Sequence, residues 1–181
     1  EGLTVLVNAL NTEAKINERG FQILNGTITA TLAQRLQVED YLKHNPQLLQ
    51  QPIEKPLFLF GLPRTGTTLA INLLTSDPAR RFFMRWEAFA TVPPAAAGAL
   101  RSDPRYHAEQ ERLNMSMKMM PEIAAIHFEN ADSSTECQFA MSPTFCSQVY
   151  DSQYDMPSYT DWFLNADYAP AFRYHKRLMQ F

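Results

Sequence analysis

The sequence is poor in several things that would otherwise decide its class. It has only two cysteines, Cys137 and Cys146. Two cannot build a disulfide framework or a zinc site, and they point to a reducing, cytoplasmic setting. No apolar run reaches the roughly 20 residues of a membrane-spanning helix, and no secretory leader pattern is present. A basic excess is also missing. The formal charge is −3, so a nucleic-acid surface is not expected. Any anion must be held by a local cluster. Internal repeats are absent, and the sole low-complexity stretch is Pro94-Ala95-Ala96-Ala97. What remains is a globular composition, 45% hydrophobic over 181 residues, enough for one domain with a real core.

The chemistry concentrates between residues 56 and 75. An apolar run, Leu57-Phe58-Leu59-Phe60, enters Gly61-Leu62-Pro63-Arg64-Thr65-Gly66-Thr67-Thr68, and an apolar segment from Leu69 to Leu74 leaves it. A strand, a glycine loop and a helix in that order form a phosphate cradle. The glycines let backbone N–H groups turn toward an anion, and the helix start adds its dipole. Gly61 and Gly66 have the Walker A spacing, and Thr68 stands at its Ser/Thr position. Thr67, however, occupies the lysine position. The loop's cation is Arg64, a planar fork suited to a tetrahedral oxyanion, and Thr65, Thr67 and Thr68 add hydroxyls. A plain turn needs neither three threonines nor an arginine. A nucleotide kinase or other NTPase on the same scaffold would need the lysine and a Walker B acid.

Here the chain resembles a known family. Gly61 to Thr68 is similar to the 5′-phosphosulfate-binding loop of sulfotransferases, in the arginine form of the bacterial group related to tyrosylprotein sulfotransferases. Asp77-Pro78, Trp86-Glu87, Pro93-Pro94, Asp103-Pro104-Arg105 and Tyr174-His175-Lys176-Arg177 extend the resemblance from about residue 30 onward. It implies 3′-phosphoadenosine 5′-phosphosulfate as sulfuryl donor, a small-molecule hydroxyl acceptor and no metal. In this family the Arg64 position contacts the 5′-phosphate and the leaving oxygen. Gly61, Pro63, Thr65, Gly66, Thr67 and Thr68 complete the donor-binding loop. The implied base is Glu87, a glutamate beside the apolar Trp86, where a raised pKa would suit it; a plain ion pair with Arg81 or Arg85 is the alternative. His127, in Ile126-His127-Phe128, is the second candidate base, or else a satisfied core histidine. Glu136 is the third, although a helix-capping role explains it equally. The later Arg and Ser that hold the 3′-phosphate in the family have no match here. A non-catalytic phosphate- or sulfate-binding module also remains open.

The expected fold is α/β: a P-loop-like three-layer domain with a central parallel sheet and a helix-rich N-terminal portion. Its division is a helical extension over 1–55 and the N-terminal part of the sulfotransferase-type domain over 56–181. Only Leu57 to Phe60 reads as a convincing buried strand, and Arg81 to Ala88 reads as a second strand or an extended segment. Asp167 to Phe181 has helix spacing without a terminator, so the chain is expected to be part of a larger domain. Helices are expected over 31–43, 67–75, from Asp103-Pro104 to Pro121, and after capping boxes at Ser133/Glu136 and Ser158/Asp161. Gly20 and Gly26 are expected to interrupt the N-terminal helical region. The aromatic cluster Tyr150, Tyr154, Tyr159, Trp162 and Phe163 reads as core, or as the lining of an acceptor pocket.

Overall fold

In the computed structural model, which describes residues 1–62, 65–122 and 128–181, helices dominate. They are α1 (Gly2–Thr12), α2 (Glu18–His44), α3 (Thr67–Thr75), α4 (Arg85–Phe89), α5 (Pro104–Met119), α6 (Cys137–Met141), α7 (Gln148–Gln153), α8 (Pro157–Asn165) and α9 (Ala169–Leu178). Two short 3₁₀ turns, Pro46–Gln50 and Ser142–Thr144, follow α2 and α6. None of the described helices is long and apolar enough to cross a membrane.

Among the described residues the expected central parallel sheet is not formed. Among the described residues, β pairing is limited to an isolated antiparallel bridge between Met84 and Ser134. The run Leu57, Phe58, Leu59 and Phe60 pairs with nothing as a strand and stands 61, 58, 40 and 90% exposed. A strand is defined by its interstrand hydrogen bonds, and apolar composition cannot supply them without a neighbour. The second candidate strand is extended only as far as Met84. There the Glu87 carboxylate takes the Met84 N–H at 2.9 Å and starts α4.

The chain divides into two compact units, one of Glu1–Gln51 with Glu136–Phe181, the other of Pro52–Thr135. In the first, Leu6, Ala9 and Leu10 of α1 and Leu24 of α2 bury against Phe145, Tyr150, Met156 and Tyr159. Tyr159 is fully buried. Its hydroxyl accepts the Ser147 N–H (3.3 Å) and lies 3.1 Å from the carbonyls of Phe145 and Ser147, to one of which it donates. The glycines do not interrupt α2. The Asn17 side chain accepts the Gly20 N–H at 2.8 Å, which makes Gly20 a first-turn residue. Gly26 lies inside a helix of 27 residues whose length absorbs the roughly 1 kcal/mol that glycine costs there. Val38 and Leu42 are the buried residues toward the end of α2, and Leu36 is 70% exposed.

His175 on α9 is also buried, and burial pushes its pKa below the ordinary 6.5. The unfolded chain therefore binds the proton more readily than the folded one. His175 contributes stability that is complete above about pH 6.5 and is lost as pH falls below it. The melting temperature is expected to drop between pH 7.5 and 5.5, and His175→Phe should flatten that slope; an unchanged slope would show that His175 does not carry it.

In the second unit, Met84, Trp86 and Ala131 form a small core with Phe82, Ala95, Leu100 and Tyr106 around it. The segment after Phe82 is tied to 131–135 by backbone bonds: Arg85 N–H to Ser133 O (2.9 Å), Trp86 N–H to Ala131 O (3.1 Å) and Thr135 N–H to Phe83 O (3.0 Å). Helix α5 begins as expected, with Asp103 accepting the Arg105 N–H at 2.9 Å and Pro104 in the first turn.

Candidate functional site

The loop after Phe60 is built by its small residues. Gly66 adopts φ +92°, a left-handed conformation that glycine enters without strain, and it is the N-cap of α3. A Cβ added to Gly61 would sit 3.0 Å from Thr67 Cγ2 and 3.2 Å from Thr65 Oγ1. Gly61, Thr65 and Thr67 are thus brought together in one tight turn that would crowd a side chain at Gly61. Thr65 closes the turn from inside, its hydroxyl donating to Leu62 O at 2.6 Å. Helix α3 covers Thr67–Thr75, as the sequence implies, and among the described residues no side chain caps its N-terminus. The N–H groups of its first turn are left for an external acceptor. Thr68 is exposed at the same end, next to Thr67. Pro63, Arg64 and His127 lie outside the described residues.

Helix α3 has an apolar sequence, yet it contains no buried residue; Leu69 and Leu73 are 64 and 65% exposed. With Leu57 to Phe60 and Leu62, also exposed, both flanks of the loop present apolar side chains to solvent.

Glu87 sits on α4, 8% exposed beside the fully buried Trp86. One carboxylate oxygen pairs with the half-exposed Arg81, and the other accepts the Met84 N–H. Of the two partners weighed from the sequence, Arg81 is the one found. The backbone cap on Met84 was missed, although the three-residue spacing ahead of a short helix is its signature. Arg85 turns instead to Glu109 (3.0 Å) and Glu129, and Glu109 also binds Arg112 through two bonds of 2.7 Å. These groups come from positions 24 and 44 residues apart, and no local pattern announces them. Arg105 grips Asp103 with two bonds (2.9 and 2.7 Å), donates to the carbonyls of Ala90 and Pro93, and lies 4.9 Å over the Trp86 ring. That hydrogen bonding from Arg105 holds the Asp103 pKa below its ordinary value. The Asp103-Pro104-Arg105 triplet thus fixes the platform on which Trp86 and Glu87 stand.

Glu136 caps no backbone through its side chain; it holds the N-cap position of α6 and accepts from Gln138 Nε2. Ser133 does not form the expected box, because its hydroxyl takes the Asn130 N–H at 2.9 Å. Ser158 is likewise inside α8, which begins after Met156. The aromatic cluster divides: Tyr150 and Tyr159 are core, with Tyr154, Trp162 and Phe163 packed around it.

Among the described residues, no group of three or more His, Cys, Asp or Glu is arranged for a metal ion. The loop can do one thing well: present N–H and hydroxyl donors to an anion at a helix start.

The sequence pattern of the sulfotransferase family matches residues 56–181. The crystal structure of sulfotransferase STF9 from Mycobacterium avium is similar over 99% of this chain and 47% of its own, with 34% identity and a TM-score of 0.88. That of sulfotransferase STF1 from Mycobacterium tuberculosis H37Rv is similar over 99% of this chain and 49% of its own, with 28% identity and a TM-score of 0.85. The chain spans about half the length of these solved relatives. No curated protein matches it at a significant level.

Proposed function

Because the chain belongs to the sulfotransferase family, we propose that it contributes to transfer of a sulfuryl group from 3′-phosphoadenosine 5′-phosphosulfate to a small-molecule hydroxyl. The observation that supports this reading most is the turn of Gly61, Thr65, Gly66 and Thr67 at the uncapped start of α3. A Cβ at Gly61 would be crowded there, and an anion needs that closeness to backbone N–H groups.

In the proposed reaction the acceptor oxygen bonds to sulfur while the bond from sulfur to the bridging phosphate oxygen breaks. The products are a sulfate ester and 3′,5′-adenosine bisphosphate. The N–H groups of Thr67 and Thr68, with the loop hydroxyls, hold the 5′-phosphate. By resemblance, Arg64 receives the negative charge that develops on the leaving oxygen. The hydroxyl proton goes to Glu87. Each of its carboxylate oxygens already accepts one hydrogen bond and keeps a lone pair, and the Met84 N–H fixes its orientation. No step in this scheme requires a metal, since cationic and N–H donors carry the phosphate charge.

Thermal shift tests the reading. 3′,5′-Adenosine bisphosphate should raise the melting temperature, and ATP with Mg²⁺ should not, because a ligand selective for the folded state stabilises it. The reverse selectivity would indicate an NTPase, and no response to either would remove the donor site. Glu87→Gln keeps an acceptor for the Met84 N–H but cannot take a proton. It should lower turnover about a hundred-fold and spare bisphosphate affinity. Unchanged turnover would exclude Glu87 as the base and leave it to fix α4. Undiminished bisphosphate binding with no turnover in the wild type would favour the non-catalytic binding module.

A further inference from the structure

The ion pair on Glu87 places a cation with unused donors beside that carboxylate. Arg81 donates to Glu87 Oε1 through Nη2 and to the Phe82 carbonyl through Nη1. These bonds use two of the five guanidinium N–H groups, and the other three have no partner among the described residues. The Arg81 side chain is 55% exposed, against 11% for Glu87. A molecule arriving from solvent can therefore reach Arg81 directly. Arg85, the other arginine close to Glu87 in sequence, is committed to Glu109 and Glu129.

The two oxygens of Glu87 differ in their surroundings. Oε2 accepts the buried Met84 N–H at 2.9 Å, a bond that starts α4. Oε1 lies on the partly exposed side, with Arg81. With Glu87 as the base, the acceptor proton goes to Oε1, and the reacting hydroxyl stands beside the Arg81 guanidinium. Before transfer, the Glu87 carboxylate balances the Arg81 charge. Once Oε1 holds the proton, Glu87 is neutral and Arg81 has lost its counter-ion. A negative group on the acceptor can then take that place. Earlier it meets the charges of both Glu87 and Arg81, which offset each other. The interaction is stronger in the transition state than in the bound substrate, and a difference of that kind raises kcat rather than lowering KM.

We propose that Arg81 is a specificity-determining residue that favours hydroxyl acceptors with a carboxylate a few bonds from the reacting oxygen. The acceptor oxygen bonds to sulfur, and its proton passes to Glu87 Oε1. The electron pair of the broken sulfur–oxygen bond stays on the bridging phosphate oxygen. As Glu87 is neutralised, the acceptor carboxylate takes the unused N–H groups of Arg81, whose planar fork suits it. The inference rests on Glu87 as the proton acceptor and narrows the acceptor class of that reading.

Steady-state turnover of 3-hydroxybenzoate and 3-hydroxybenzamide tests it, because these phenols share a shape and differ in charge. With saturating phosphosulfate donor, kcat should be about ten-fold higher for the benzoate. That is the low end for a hydrogen bond to a charged group, as fits a half-exposed arginine. KM should agree within about two-fold. 4-Hydroxybenzoate carries its carboxylate at the far end of the ring and should behave like the amide. In Arg81→Met the ratio of the two kcat values should fall to about one, whatever the absolute rates, and Arg81→Lys should keep part of it. If Arg81→Met fails to fold, the wild-type comparison decides alone. Equal kcat for the first two phenols, a benzoate preference carried by KM alone, or a ratio unchanged in Arg81→Met overturns the proposal and leaves Glu87 as the base. Turnover of none of the three phenols removes the reading beneath it, and the proposal with it.

Discussion

Arg64→Ala is expected to lower sulfuryl transfer about a thousand-fold while the melting temperature and circular dichroism stay those of the wild type. Removing one preorganised donor from a developing oxyanion typically costs a factor of about 10²–10³, and loss of a full positive charge sits at the upper end. The loop's other contributors are N–H groups and neutral hydroxyls, so no second cation in the Gly61–Thr68 stretch can substitute. Stability should be indifferent, because no described residue of this loop is buried. Arg64→Lys separates charge from geometry. Lysine keeps the charge but loses the planar fork, so partial rescue is expected. Wild-type turnover in Arg64→Ala, measured with saturating donor, would end the assignment of the loop as the transfer site.

Tyr159→Ala is expected to destabilise the unit that contains it by about 3–5 kcal/mol, the range found when a large buried aromatic is removed. Tyr159 is fully buried, stacks with Phe163 at 6.1 Å and meets Trp162 at 5.5 Å. Its hydroxyl also ties down the backbone at Phe145 and Ser147. Tyr159→Phe isolates that second role. It keeps the ring but leaves the buried Ser147 N–H without its acceptor, and should cost about 1–3 kcal/mol. Urea unfolding of the three proteins gives both numbers. A Tyr159→Phe variant as stable as the wild type would show that the hydroxyl is dispensable and that packing alone fixes the 145–147 turn.

What the sequence reveals depends on how local the cause is. Helix α3 is read correctly at both ends because Gly66 and Ser76 are adjacent signals. The start of α5 is legible for the same reason, with Asp103 and Pro104 side by side. The family is legible because its motif, Gly61 to Thr68, lies within eight consecutive residues. Where two local signals compete, the reading fails. Gly20 and Gly26 look like breaks, but the Asn17 cap and the length of α2 override them. Ser133 looks like a cap, but Asn130 captures its hydroxyl first. The sheet fails for a different reason. A strand's identity belongs to a pair, and Leu57 to Phe60 carries the composition of a buried strand with no partner among the described residues. The Arg85–Glu109 and Arg85–Glu129 pairs are invisible to any local window of the sequence, since distant segments supply them.

The bare flanks of the anion loop make its grip conditional. The run Leu57–Phe60 before it and α3 after it share the exposed apolar side chains described above. Any surface that buries them restricts the loop before the anion arrives, and so lowers the entropy lost when the anion binds. Linkage runs both ways: an anion that orders the loop strengthens whatever covers its flanks by the same factor. Any anion affinity of the loop is therefore a property of the loop together with its cover, and the two have to be titrated as one equilibrium.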